Sequence, residues 1–161
     1  GPDSLDYVRA GRPVGGLRTF SKAYGLAGLR IGYGVMPAAV AEVLNRVRPP
    51  FNVNLLAQTA AAAALDDHAF LRETLEVVHA GVDYLQRALA DLGLACQPTQ
   101  SNFIMIRVPG EGRQFFERLL DRGVIVRPLA SYGFPDCIRV SIGRPEENRR
   151  FVDALKQVLA L

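Results

Sequence analysis

Apolar residues recur at helical spacing through most of the chain, then give way to short extended runs in its last third. Val40, Val43, Leu44 and Val47 predict a helix over Ala38 to Arg48, opened by Pro37 at a favourable first position and stopped by Pro49-Pro50. Leu55 to Leu65 predicts a second helix. A third, longer one runs from about His68 to Leu92, with Leu71, Leu75, Val78, Val82, Leu85 and Leu89 as its inward stripe, and Gly93 ends it. After that the period changes. Asn102 to Val108 reads as a strand, Gly112 to Arg122 as a helix, and Val124 to Arg127 and Cys137 to Ile142 as two further strands. The last helix, Pro145 to Leu159, places Glu146 and Glu147 at the positive end of its dipole and aligns Phe151, Leu155, Val158 and Leu159 on one face. Strands interleaved with helices predict a small α/β unit.

The beginning fits less well. Val14 to Ser21 reads as a short strand weakened by Gly15-Gly16, followed by a turn and three helices. A single strand leaves its backbone groups unpaired on both edges, so the chain reads as truncated at its N-terminus. Gly1-Pro2 is compatible with a cloning remnant, which the residues alone do not show.

Composition narrows the class. With 161 residues, 49% of them hydrophobic, the chain can bury a real core. The formal net charge is +3, and the arginines are scattered, with no run longer than Arg149-Arg150, which argues against nucleic-acid binding. The apolar stretch from Thr59 to Leu65 is too short to span a bilayer and no signal-peptide pattern opens the chain, so no membrane partner is expected. Cys96 and Cys137 lack metal-ligand spacing and suit a reducing cytoplasm, and no metal site is expected.

The chemistry concentrates in "RTFSKAYGLAGLRIGY", residues 18–33. Of 19 basic residues only Lys22 and Lys156 are lysines. Lys156 reads as an ordinary solvated side chain, whereas Phe20, Ala23, Tyr24 and Leu26 surround Lys22 and predict a buried, desolvated amine. Thr19 and Ser21 present hydroxyls just before it, glycines at 25 and 28 allow a tight turn, and Arg30 returns a permanent cation. Hydroxyls, free amides and an arginine form a phosphate cradle, and the adjacent amine can attack an aldehyde, the combination that pyridoxal phosphate requires. On residue types alone a lysine beside glycines is more often a turn residue than a cofactor lysine. A Walker-type nucleotide loop is a weaker reading still, because that motif needs its glycines before the lysine and here they follow it.

The segment "LRTFSKAYGLAGLRIGYG" resembles the lysine segment of fold-type I pyridoxal phosphate aminotransferases, above all the histidinol-phosphate aminotransferase family. "RPPFNVNLLAQTAAAAAL", "SNFIMIRV" and "GVIVRPLASYGFPDCIRVSIGRPEENRRFVDAL" resemble further segments of that family in the same order. The resemblance implies an α/β fold, the C-terminal part of a fold-type I transferase. Residues 1–54 would be the remnant of the large cofactor-binding domain, 55–92 a helical connection and 93–161 the small C-terminal domain. It implies Lys22 as the covalent cofactor lysine, Thr19, Ser21 and Arg30 as phosphate ligands, and Arg139 as the substrate carboxylate clamp. Arg127 would lie near the distal end of the substrate, and Asn102 would make a polar contact there. On the residues alone, the alternative for Arg139 is a strand-edge arginine in a surface ion pair, against which its apolar neighbours Ile138 and Val140 favour carboxylate binding, and Asn102 is equally a turn asparagine. The family's preceding half supplies a ring-stacking aromatic and the aspartate facing the pyridine nitrogen, which residues 1–16 do not match. The implied function is transamination of histidinol phosphate or an aromatic amino acid with 2-oxoglutarate, in a cytoplasmic homodimer whose partners are the amino donor and a 2-oxo acid. A decarboxylase on the same scaffold and a catalytically silent packing domain are the alternatives.

Overall fold

The computed structural model describes residues 3–160. Gly1 and Pro2, compatible with a cloning remnant, lie outside the described residues. The chain divides into two compact units, one up to Arg72 and one from Glu73 onward.

The first unit opens with helix α1 (Ser4–Arg9), which the sequence pattern did not announce; the Asp3 carboxylate caps it by accepting the Leu5 N–H at 3.0 Å. Strand β1 (Gly16–Thr19) is shorter than the expected Val14 to Ser21. The Val14 N–H turns to the Arg12 carbonyl at 2.8 Å and the Ser21 N–H to the Thr19 hydroxyl at 3.0 Å, so neither end is laddered. The expectation of an unpaired strand is corrected: β1 pairs antiparallel with β2 (Gly32–Val35), from Gly16 opposite Val35 to Thr19 opposite Gly32. Two glycines in four residues disguise β2 as a turn, yet Gly32 is what lets the strands meet. A Cβ there would stand 2.6 Å from the Arg18 carbonyl oxygen. Helix α2 (Ala38–Val47) begins one residue after Pro37, which caps it rather than opening it. Helix α3 (Leu55–Asp66) is capped by Asn54, whose side-chain oxygen accepts the Ala57 N–H at 2.8 Å. Burial in this unit is thin: Phe20, Ala57 and Ala61 are inside, while Leu17, Val47, Phe51, Leu55 and Leu56 are largely exposed.

Helix α4 (His68–Asp91) runs across the boundary. Its expected stripe holds only toward the C-terminus. Leu85 and Leu89 are fully buried, Leu71, Val78 and Val82 half-buried, and Leu75 exposed.

The second unit carries strands β3 (Phe103–Arg107), β4 (Arg127–Leu129) and β5 (Phe134–Ser141) with helices α5 (Gly112–Leu120) and α6 (Pro145–Leu159). The sheet order is β3-β5-β4, every pair antiparallel, so β5 is central and β3 and β4 run parallel on either side of it. Ile104, Ile106, Ile138 and Val140 face a core completed by Leu85, Leu89, Phe115, Leu119, Phe151 and Leu155. The strand expected at Val124 to Arg127 starts later. Val124 is still leaving α5, its N–H bonded to the Leu119 carbonyl at 3.0 Å around Gly123, whose φ is +70°. Pro128 is tolerated because β4 is an edge strand. Helix α6 starts at Pro145 as the sequence predicts, and the Arg144 N–H donates to the Glu147 carboxylate at 2.7 Å.

Candidate active site

The lysine turn is built by backbone bonds that leave β1 and return to β2. The Phe20 N–H donates to the Ile31 carbonyl at 3.2 Å, the Leu26 N–H to the Phe20 carbonyl at 3.0 Å and the Gly25 N–H to the Lys22 carbonyl at 2.9 Å. A single turn of 3-10 helix follows at Ala27–Leu29, and Arg30 then adopts a left-handed φ of 53°. For a residue with a Cβ that conformation is strained by about 1–2 kcal/mol. Strain of this kind concentrates where a side chain must be aimed. The Arg30 guanidinium is aimed back over the turn: Nη1 donates to the Ala27 carbonyl at 2.8 Å and reaches the Ser21 hydroxyl at 3.5 Å.

Thr19, Ser21 and Arg30 are therefore brought together, the Thr19 hydroxyl accepting from the Ser21 N–H and the Ser21 hydroxyl facing Arg30. Arg30 forms no ion pair with a carboxylate among the described residues. Two hydroxyls and an uncompensated guanidinium are a donor set that fits a phosphate. The expectation of a buried Lys22 is corrected: the residue is exposed in this chain. Its apolar neighbours in sequence pack on each other instead of on it. Phe20, 3% exposed, lies 5.0 Å from the Tyr24 ring and 5.7 Å from the Tyr33 ring, and the turn leaves Lys22 outside that cluster.

In the second unit, Arg139 sits on the central strand β5, directly opposite Met105 on β3 and Arg127 on β4. Its half-buried guanidinium lies 5.1 Å over the Phe103 ring. Paired residues of an antiparallel ladder share a face, so two arginines stand side by side, and neither meets a carboxylate among the described residues. Like charges opposite one another are destabilising, and an anion placed between or beside them relieves that. The surface ion pair that the residues alone allowed for Arg139 is absent from the described residues. Asn102, half-buried at the entrance of β3, uses its carbonyl to accept the Ile142 N–H at 2.9 Å, while its side chain lies 3.5 Å from the Ser101 hydroxyl. Phe103 had no signal in the sequence. Its place under Arg139 follows from the register, with Phe103 opposite Ser141 and therefore diagonal to Arg139.

Of the two thiols, Cys137 is 1% exposed, and burial pushes it above its ordinary value of 9.0, helped by the neighbouring Asp136 carboxylate. Such a thiol is inert rather than nucleophilic.

A model of the aminotransferase class I and II family matches residues 6–155. The histidinol-phosphate aminotransferase of Akkermansia muciniphila is 51% identical over 158 residues, 98% of this chain and 43% of its own length. That of Nitratidesulfovibrio vulgaris is 52% identical over 143 residues, 89% of this chain and 38% of its own. Among solved structures, the histidinol-phosphate aminotransferase from Sinorhizobium meliloti, in complex with pyridoxal 5'-phosphate, matches with a TM-score of 0.78 at 33% identity, over 92% of this chain and 42% of that one. The enzyme from Clostridium acetobutylicum matches with a TM-score of 0.88 over 97% of this chain and 48% of that one; at 22% identity it speaks for the fold alone. The chain spans less than half the length of these relatives. Because the lysine turn and the arginine-bearing sheet both fall inside the matched residues, and the α/β fold agrees with fold-type I structures, the chain belongs to the aminotransferase class I and II family.

Proposed function

We propose that this chain carries the cofactor lysine, the phosphate ligands and the carboxylate clamp of a pyridoxal phosphate-dependent aminotransferase. Its substrate would be histidinol phosphate or an aromatic amino acid, with 2-oxoglutarate as co-substrate. The observation that supports this best is the convergence of Thr19, Ser21 and Arg30 into a phosphate donor set in the turn that carries Lys22, the residue after Ser21. When bound, the cofactor supplies an electrophilic aldehyde and an electron sink for the substrate α-carbon. Thr19 and Ser21 would hold its phosphate by their hydroxyls and Arg30 by its guanidinium. Lys22 would bind the aldehyde through Nζ and, once released by the incoming amine, carry a proton to and from the α-carbon. Arg139 would take the carboxylate of the 2-oxo acid or of an amino acid donor by two parallel N–H donors, its plane held against Phe103; histidinol phosphate has no carboxylate and would present another group at that position. Arg127 and Asn102 would contact the remainder of the substrate.

The reading includes a homodimer in the cytoplasm. The exposed apolar side chains Leu17, Val47, Phe51, Leu55 and Leu56 favour association, and two free thiols fit a reducing compartment.

Incubation with pyridoxal phosphate, reduction with borohydride and peptide mapping test the assignment. Label on Lys22 is expected; label on neither lysine would overturn it. Turnover of histidinol phosphate against phenylalanine then separates the two substrates. Exposure of Lys22 favours a second reading, a folded domain that only packs against other protein, and this reading expects no label.

A further inference from the structure

Asn148, in the first turn of α6, is the one buried polar side chain among the described residues, 3% exposed, and the proposed chemistry gives it no part. Its amide closes on a single residue from both sides. Oδ1 accepts the Gly143 N–H at 2.9 Å and Nδ2 donates to the Gly143 carbonyl at 2.9 Å. A desolvated amide is tolerated when both ends are matched, and the match fixes one arrangement of the chain. That arrangement is the exit of β5. After Arg139, Ser141 pairs with Phe103, the Ile142 N–H donates to the Asn102 carbonyl, and Gly143 is held by Asn148. Helix α4 makes room for this contact at Gly81, which is buried. A Cβ there would collide with Ile142 Cγ2 and stand 2.9 Å from Asn148 Nδ2.

A lock at this point has a purpose that the sheet itself does not serve. Arg139 stands opposite Arg127, whose strand is three residues long and slips register between Pro128 and Leu129. So short and irregular an edge strand does little to hold the Arg139 side of the sheet in place.

We propose that Asn148, in the space vacated at Gly81, is a positioning residue: its amide locks the exit of β5 and so holds Arg139 and Asn102 where a substrate carboxylate meets them. This rests on the reading of Arg139 as a carboxylate clamp. The variants N148A and G81A attack the lock from two different helices. In the holoenzyme each is expected to raise KM for the 2-oxo acid by about tenfold or more while kcat stays within about twofold. The dissociation constant of succinate, a dicarboxylate that binds without reacting, should rise by the same factor in calorimetry. Borohydride labelling of Lys22 should not change, since Lys22 belongs to the other unit. Folded variants with wild-type KM and wild-type succinate affinity would overturn the proposal. So would a parallel loss of labelling, kcat and KM, or failure of both variants to fold, each of which assigns Asn148 to stability alone. A wild-type protein that does not transaminate removes only the functional reading, and the succinate comparison still decides the lock. A wild type that binds no succinate removes both.

Discussion

Arg30 and Lys22 show how far a side chain's role depends on backbone that its neighbours in sequence do not specify. Arg30 reaches Ser21 because its own φ is left-handed, a state that nothing in "GLRIG" announces. Lys22 is exposed because the aromatic residues flanking it close on one another, so apolar neighbours along the chain are not apolar surroundings in space. Cys137 is the opposite case, an ordinary strand residue whose burial changes its chemistry. With its folded thiol held above 9.0, folding gains nothing from this group below that pH, and stability falls as pH rises past about 9, where the unfolded thiol ionises and the buried one resists. Thermal unfolding of C137A between pH 8 and pH 10 should accordingly show a shallower loss than the wild type; equal slopes would refute the assignment.

At the scale of elements, the pairing of β1 with β2 decides where the lysine turn begins and ends. Gly32 permits that pairing by close approach, its missing Cβ leaving room for the Arg18 carbonyl. G32A is therefore expected to destabilise the first unit by about 1–3 kcal/mol, read as a lower thermal midpoint. It should also weaken the Thr19, Ser21 and Arg30 cluster without touching the core of the second unit. Much of this level was legible beforehand. Helices α2, α3, α5 and α6 and strand β3 lie where periodicity put them, because each presents a sustained apolar face, whereas β5 begins at Phe134, three residues before the expected Cys137. The misses share a cause. Helix α1 and strand β2 are short, and β2 is half glycine. The start of β4 was misplaced because the apolar residues Val124 and Val126 bridge a helix exit and a strand.

For the whole molecule, burial is unequal. The second unit closes a core of Leu85, Leu89, Ile104, Ile106, Phe115, Leu119, Ile138, Phe151 and Leu155, whereas the first leaves Phe51 98% exposed and Leu55 and Leu56 about three-quarters exposed. An apolar surface of that kind associates. Sedimentation of the 161-residue chain should show concentration-dependent self-association, which V47D together with L56D relieves while the thermal midpoint changes little. A chain that stays monomeric at high concentration would contradict this.

By itself the sequence determined the α/β class, the order of its long elements and the identity of the chemical groups. These follow from local periodicity and from residue types at short spacing, here strengthened by segments that resemble a known family in order. Only the tertiary structure decided that Lys22 is exposed, that Arg139 faces Arg127 and lies over Phe103, and that Asn148 holds Gly143 behind Gly81. Each of those facts depends on strand register or on contact between residues far apart in the chain, and the free energy of such contacts is set by which surfaces are brought together rather than by any one stretch of residues.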